Sequence, residues 1–475
     1  MNNTGLKKFS IIVLIAYIIT VIVFYHIAHD QIIYKTVPDN MFVSDEKTPV
    51  GEIVEGTVVL QPFIPQVDIL DSVSILTATY ERVNKGTLFF QILDMEMDSV
   101  IREKNLDLQD IPNTQKVVVE FEDPIKDVRG KELAIKVTSN GTPGNAVTIW
   151  QNVNTDLGYD LILNGNPTGQ ILCFSTSGRE YLWFGQNYYL ISFITGLILL
   201  VYLVRLNYLS IKGNTCLGLR IILAFTKYKF LLKQLVSRDF KTKYKRSVLG
   251  ILWSFLNPLL TMAVQYTVFS SLFRFDIENF AIYLLIGIIF FSFFSEAVSM
   301  SLMSIVGNAT LISKVYIPKY IFPISRVISS FINFSLSLIP LMVFVIITDI
   351  IITPAIILLL FSITCVFLFS IGLGMLLSSA MVFFRDTQFL WNVVGMLWMY
   401  LTPIFYPVSI IPDRYMTFYK LNPMYHFIDF SRIVIMNGVS PEPSEYLVCI
   451  ISAIIMLAFG SWVFKKTQNN FVLHV

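Results

Sequence analysis

Apolar residues along the chain gather into runs of roughly 18 to 25 residues, the length a helix needs to cross a ~30 Å hydrocarbon layer. Eight runs are legible: Phe9 to Tyr25, Tyr188 to Leu206, Val248 to Ser271, Ala281 to Ile305, Tyr320 to Ile347, Pro354 to Ser378, Phe389 to Tyr406 and Tyr446 to Phe464. Between the first two the pattern becomes alternating, with Val73, Ile75 and Thr77 in one stretch, Leu88, Phe90 and Ile92 in another and Leu133, Ile135 and Val137 in a third. Apolar side chains at every second position mark half-buried strands. Further short strands fit Gly56 to Gln61, Gln115 to Phe121, Ala146 to Gln151 and Tyr159 to Leu163, with turn signals such as Asn140-Gly141, Pro143-Gly144 and Asn164-Gly165 between them. The pattern predicts an α-helical polytopic membrane protein of about eight transmembrane helices with an inserted all-β sandwich, jelly-roll-like in strand spacing.

Composition agrees, since 55% hydrophobic and 14% charged residues exclude a single water-soluble core. The first run follows Lys7 and Lys8 and lacks a small-x-small cleavage pattern before Asp30, so it reads as an uncleaved anchor rather than a signal peptide. Orientation follows from where Lys and Arg fall, because basic loops stay cytoplasmic. Arg205 to Arg246 holds eleven Lys or Arg against Asp239 alone; Lys314, Lys319 and Arg326 lie in one acid-free loop, and Lys465 and Lys466 close the last run. Both termini are therefore expected in the cytoplasm and residues 30–186 outside. Those residues carry 12 basic and 23 acidic side chains, a net of 11 negative, while the remainder is 13 positive. A nucleic-acid partner is not implied. Of four cysteines only Cys173 lies in the exterior segment, so no disulfide forms within it, and His26, His29, His426 and His474 are too scattered for a metal or catalytic constellation.

The division expected is an anchor at 1–29, an extracellular β-sandwich at 30–186, a second span at 187–207, a cytoplasmic linker and amphipathic interface helix at 208–247, and a six-helix membrane core at 248–475 with a re-entrant segment at about 407–436. Within the linker, Tyr228, Leu232, Val236, Phe240 and Tyr244 recur every fourth residue beside Leu231 and Leu235, and basic residues occupy the other side. Such a helix lies along a membrane surface. Its cationic face, Arg238, Lys241, Lys245 and Arg246, suits an anionic lipid headgroup; the simpler role is a positive-inside anchor.

The run Ser237-Arg238-Asp239-Phe240-Lys241-Thr242-Lys243-Tyr244-Lys245-Arg246-Ser247-Val248-Leu249-Gly250-Ile251-Leu252-Trp253, leading into Asn257-Pro258-Leu259, closely resembles the start of ABC-2 type polysaccharide export permeases. Two further stretches match in order: Asn308 to Lys319 continuing to Pro323, and Phe384-Arg385-Asp386 followed by Leu401 to Pro407 and Leu421-Asn422-Pro423. The resemblance covers about residues 228 to 475. It implies a six-span core used as two copies, a separate ABC ATPase subunit docked beneath, and a polyprenyl-linked polysaccharide as cargo, with no cofactor in this chain and ATP and magnesium in the partner. The front hairpin and its exterior domain depart from the family pattern and leave the polymer open. The strand pattern of that domain, with Trp150 on a late strand, is similar to that of carbohydrate-binding modules, but Trp150 reads first as a core residue.

No phosphate loop of the Gly-x-x-x-x-Gly-Lys-Ser/Thr type occurs, so the chain is not expected to hydrolyse ATP itself. Glu296 is an intramembrane carboxylate, expected to face protein or water rather than lipid, either in a helix-to-helix hydrogen bond or as a candidate of the translocation pathway. From Phe383 to Phe430, 14 of 48 residues are aromatic, double the chain average of 14%; Trp391, Trp398, Tyr400 and Tyr406 are candidates to line a sugar pathway. Leu311, Ile312, Lys314, Tyr316 and Pro318 are candidates to couple an ATPase to the spans. The rival readings are a membrane-anchored receptor or assembly protein for wall glycan, and an ABC-2 exporter of lipids or drugs.

Overall fold

The computed structural model describes residues 3–38, 41, 43, 46–153, 159–214, 216–245, 247–271, 277–315 and 317–474. They form two compact units, one of residues Ile32–Tyr188 and one joining Met1–Gln31 to Tyr189–Val475.

The first unit is all β. One sheet runs in the order β1 (Tyr34–Val37), β13 (Phe174–Tyr181), β4 (Ile69–Ala78), β9 (Thr148–Val153), β12 (Gln170–Leu172), with β2 (Thr48–Pro49) on β9 and β7 (Gln115–Lys126) on β4. The other runs β11 (Asn166–Pro167), β10 (Ile162–Leu163), β3 (Val59–Phe63), β8 (Leu133–Ser139), β5 (Thr87–Asp94), β6 (Ser99–Asp107). All pairings are antiparallel, and the apolar positions of the sequence pattern (Val73, Ile75, Leu88, Phe90, Ile92, Val119, Ile135, Val137) bury themselves in one core. Asn164 and Gly165 both take positive φ and turn β10 into β11, the conformation that makes Asn-Gly a hairpin signal. Cys173 is buried and donates its S–H to Asn152 Oδ1 at 3.1 Å. Burial pushes its thiol up to about 11, so it is inert. Trp150 is half-buried, with the Lys47 ammonium 5.5 Å from its ring.

The second unit is helical: α1 (Asn3–Ile33) and, after the single turn α2 (Trp183–Gln186) of the β unit, α3 (Tyr188–Ile211), α4 (Leu217–Tyr244), α5 (Trp253–Ser271), α6 (Phe280–Leu302), α7 (Ala309–Lys314), α8 (Ile321–Ile347), α9 (Leu359–Phe383), α10 (Thr387–Tyr400), α11 (Asp413–Lys420), α12 (Pro423–Arg432), α13 (Pro443–Thr467) and α14 (Phe471–His474). α1 and α3 pair through the Tyr17 hydroxyl on Ser192 O (2.7 Å) and Asn207 on Ser10 Oγ (2.8 Å). α6 is the central helix, buried along most of its length. α9 and α13 cross backbone to backbone, at Gly372 and Gly460.

Among the described residues seven helices, not eight, are long and apolar enough to span a membrane. The expected span Phe389 to Tyr406 shortens to the 14 residues of α10, about 21 Å at 1.5 Å per residue. Pro403 is the reason: a helix ends before the residue that precedes proline, and α10 stops at Tyr400. The following chain turns back as the short helices α11 and α12.

Candidate functional site

α4 lays Leu231, Leu232 and Leu235 against the helical core. Asp239, one turn past Leu235, falls on the same stripe, so a carboxylate is carried into the interior, where its side chain keeps 4% exposure. Such a charge persists only when paired. Arg326 of α8 reaches it at 2.9 Å and Arg238 at 3.2 Å. The Arg238 guanidinium also donates to Asn308 Oδ1 at 3.3 Å, and Asn308 in turn donates to Ser304 O. One turn further on, Lys243 pairs with Glu296 of α6 at 2.7 Å, and Asn333 of α8 donates to the same carboxylate oxygen at 3.1 Å.

The Tyr244 hydroxyl then sits between Ser254 Oγ (2.5 Å) and Asn333 Oδ1 (3.0 Å). Pro258, inside α5, has no N–H for the carbonyl of Ser254. Ser337 of α8 donates to that carbonyl instead, at 3.0 Å. A continuous polar tract therefore runs between α4, α5, α6 and α8. It lines two cavities, one of about 650 Å³ bordered by Arg238, Asp239, Asn308 and Arg326, the other of about 260 Å³ bordered by Trp253, Asn257 and Ser337. Lys243, Glu296 and Asn333 border both. Three cations against two carboxylates make the larger cavity net positive.

The sequence candidates distribute around this tract. Arg238 is tied into it; Lys241 and Lys245 are exposed and carry no ion pair among the described residues. Arg246 lies outside the described residues. Glu296, taken alone in the sequence, is held by Lys243 and Asn333. Asp239 and Arg326 were legible as charges but not as a pair, because they are 87 residues apart in the chain; the signal for Asp239 was its place four residues after Leu235.

At the other end of α6, Arg432 is fully enclosed and donates to Pro403 O (2.8 Å), Ile404 O (3.2 Å) and Tyr283 O (3.2 Å), with its guanidinium 3.3 Å from the centre of the Tyr283 ring. The Tyr283 hydroxyl donates to Tyr406 O at 2.8 Å. These two side chains, neither of them a sequence candidate, satisfy carbonyls of the irregular stretch after α10, which would otherwise be buried without a partner. Asn422 caps α12 by accepting from Met424 N, and the same oxygen accepts the Trp398 indole N–H at 2.7 Å. Trp391 is buried and donates to Ser299 Oγ at 3.0 Å. Both indoles are thus packed against their own chain; the outward face of α10 is Phe389, Val393, Met396 and Tyr400. Tyr406 is half-buried and donates to Tyr400 O at 2.7 Å.

In the segment expected to couple an ATPase, Ile312 is buried and Leu311 half-buried against the core, Lys314 is exposed and Pro318 intermediate. Tyr316 lies outside the described residues. The Lys319 ammonium donates to Gln468 O at 2.5 Å and fixes the segment to the chain beyond α13.

These features define a multi-pass helical membrane protein with a separate β unit. Residues 231–436 match the ABC-2 type transporter family. The chain is 30% identical over 246 residues to an O-antigen export system permease protein, RfbA, of Klebsiella pneumoniae, covering 51% of this chain and 93% of that protein. It is 28% identical over 262 residues to the protein of the same name from Myxococcus xanthus, covering 53% and 98%. The chain belongs to the ABC-2 type transporter family.

Proposed function

We propose that the chain is the membrane-spanning subunit of an ATP-driven exporter that carries a lipid-linked cell-surface polysaccharide across the cytoplasmic membrane. It works as two copies with a separate ABC ATPase, which supplies the ATP and magnesium site. The observation that carries the reading is the positive cavity under the interface helix, inside the segment that matches the ABC-2 type transporter family. A polyprenyl pyrophosphate holds its charge at the inner headgroup layer; Lys241 and Lys245 on the open face meet it there, and Arg238 stands at the mouth of the cavity. With α10 counted as an eighth, shortened crossing, both termini lie on the basic cytoplasmic side and residues 30–186 outside. The polymer is of the O-antigen, teichoic acid, capsule or rhamnan type.

In proteoliposomes the lone chain is expected to hydrolyse no ATP, and addition of its ATPase subunit to give hydrolysis and outward movement of a lipid-linked glycan. Hydrolysis by the lone chain with contaminants excluded, or turnover indifferent to every lipid-linked glycan offered, overturns the reading.

The coupling segment gives a second expectation. Lys314→Glu with Leu311→Ala leaves the buried Ile312 in place and should lower co-purification of the ATPase by about tenfold, the loss expected from one reversed interfacial charge and one trimmed contact. Unchanged co-purification removes α7 from the docking surface. Ile312→Ala, by contrast, should act on thermal stability, because its side chain packs inward.

A further inference from the structure

His426 of α12 is 5% exposed and both its ring nitrogens are engaged: Nε2 lies 2.7 Å from the Lys420 carbonyl at the end of α11, and Nδ1 2.8 Å from Glu445 Oε2 at the start of α13. Both distances are too short for a ring C–H, which approaches oxygen at about 3.3 Å or more, so the ring orientation is fixed by geometry. A carbonyl oxygen only accepts, so Nε2 carries a hydrogen. Nδ1 therefore faces the carboxylate in one of two satisfied states, an imidazolium donating to an ionised Glu445 or a neutral imidazole accepting from a protonated Glu445. Either state holds one proton more than the pair of a neutral histidine and an ionised glutamate. Removing that proton sets a nitrogen lone pair against a carboxylate oxygen in a buried place.

We propose that His426 and Glu445 form a proton-held latch between α12 and α13, which releases the re-entrant segment as pH rises at that face. The groups around the pair set its balance. Burial of the ring works against its charge, while the hydrogen bonds to Glu445 and to the Lys420 carbonyl of α11, and the Asp429 carboxylate on α12, hold the proton; Tyr425 and Arg432 of α12, Tyr283 of α6, Cys365 of α9 and Cys449 of α13 are the other titratable or charged groups around the pair. The remaining ties of α12 do not titrate near neutrality: Ser362 donates to Phe427 O at 2.8 Å, Asn422 caps its start and Arg432 pins its end. Loss of the pair frees one side of the helix while its ends stay anchored, the arrangement of a flap. That this flap opens toward the exterior medium rests on the topology proposed above; the latch does not.

The test is hydrogen exchange of α12 amides in the full-length chain in lipid nanodiscs, from about pH 6 to about pH 9, corrected for the intrinsic rate. In the native chain protection should fall about tenfold or more across this range, the free energy of a charged hydrogen bond. Glu445→Gln keeps a donor for the neutral Nδ1 without a titrating proton, so its protection should be flat. A flat native profile overturns the latch, and so does a Glu445→Gln profile as steep as the native one. Neither result touches the export reading, because exchange requires no transport. Labelling of Asp413→Cys by a membrane-impermeant thiol reagent in intact cells checks the sidedness separately.

Discussion

Gly460→Leu is expected to leave almost no folded protein. α9 and α13 approach so closely at Gly372 and Gly460 that a Cβ on Gly460 would run into the carbonyl of Gly372, and one on Gly372 into the backbone of Met456 and Leu457. Membrane helices associate by packing rather than by the hydrophobic effect, so small residues at a crossing decide how near two backbones come. The obstacle here is backbone, which cannot rotate away, so the cost exceeds the ~1–3 kcal/mol of an ordinary overpacked core. The consequence reaches α12, since α9 carries Ser362, which holds Phe427 O and accepts from Ser431 at 3.1 Å. Gly460→Ala should already lower the melting temperature in detergent. Gly307→Ala, where an added Cβ meets nothing within 4 Å, should not. A monodisperse Gly460→Leu protein with native melting would show that the two helices do not cross this way.

The crossing also shows what a sequence withholds. Both glycines stand in apolar runs legible as spans, yet nothing in either run says which helix its partner is. Period and charge made the spans and most strands readable, because lipid and a two-sided sheet each impose a pattern on every residue they touch. The longer strands β6 and β13 and the short β1, β2, β11 and β12 escaped; for β6 the reason is physical, since it is an edge strand and its sequence Ser-Val-Ile-Arg-Glu-Lys-Asn-Leu-Asp is charged along the solvent side, as exposed edges are. The end of α10 was readable from Pro403 but hidden by the apolar run around it. In the candidate site, α4 and its basic face followed from a four-residue repeat, whereas the partners of Asp239, Glu296 and Arg432 depend on which helices meet, and pairings 87 or 149 residues apart leave no local trace.

Asp239→Asn is expected to destabilise the chain and disable export while the chain still inserts, and its stability to be partly rescued by a second change, Arg326→Gln. Removing one partner of a buried ion pair leaves the other charge uncompensated, about 3 kcal/mol or more when the survivor is enclosed. Arg326 is the enclosed survivor here, with 21% of its side chain exposed; Arg238, at 48%, turns to water and Asn308. The single substitution should therefore lower the melting temperature and free the end of α4 that closes the larger cavity. In the double variant an amide faces an amide, no charge is stranded, and stability should return toward the native value. Export need not return with it, because the cavity has lost a cation. Additive losses in the double variant would show that the two residues do not act as a pair. The tie also changes what Arg238→Lys can reveal: a lysine cannot bridge Asp239 and Asn308 with a planar fork, so that swap weakens the cavity wall whether or not Arg238 touches lipid. Lys241→Gln with Lys245→Gln removes two exposed charges free of such ties. If these residues gather an anionic headgroup, the pair should lower export about tenfold or more, at ~1 kcal/mol for each basic residue near the surface, with the melting temperature unchanged. Native export by that variant, alongside the loss in Asp239→Asn, would assign α4 to holding the cavity shut and leave cargo capture to other residues.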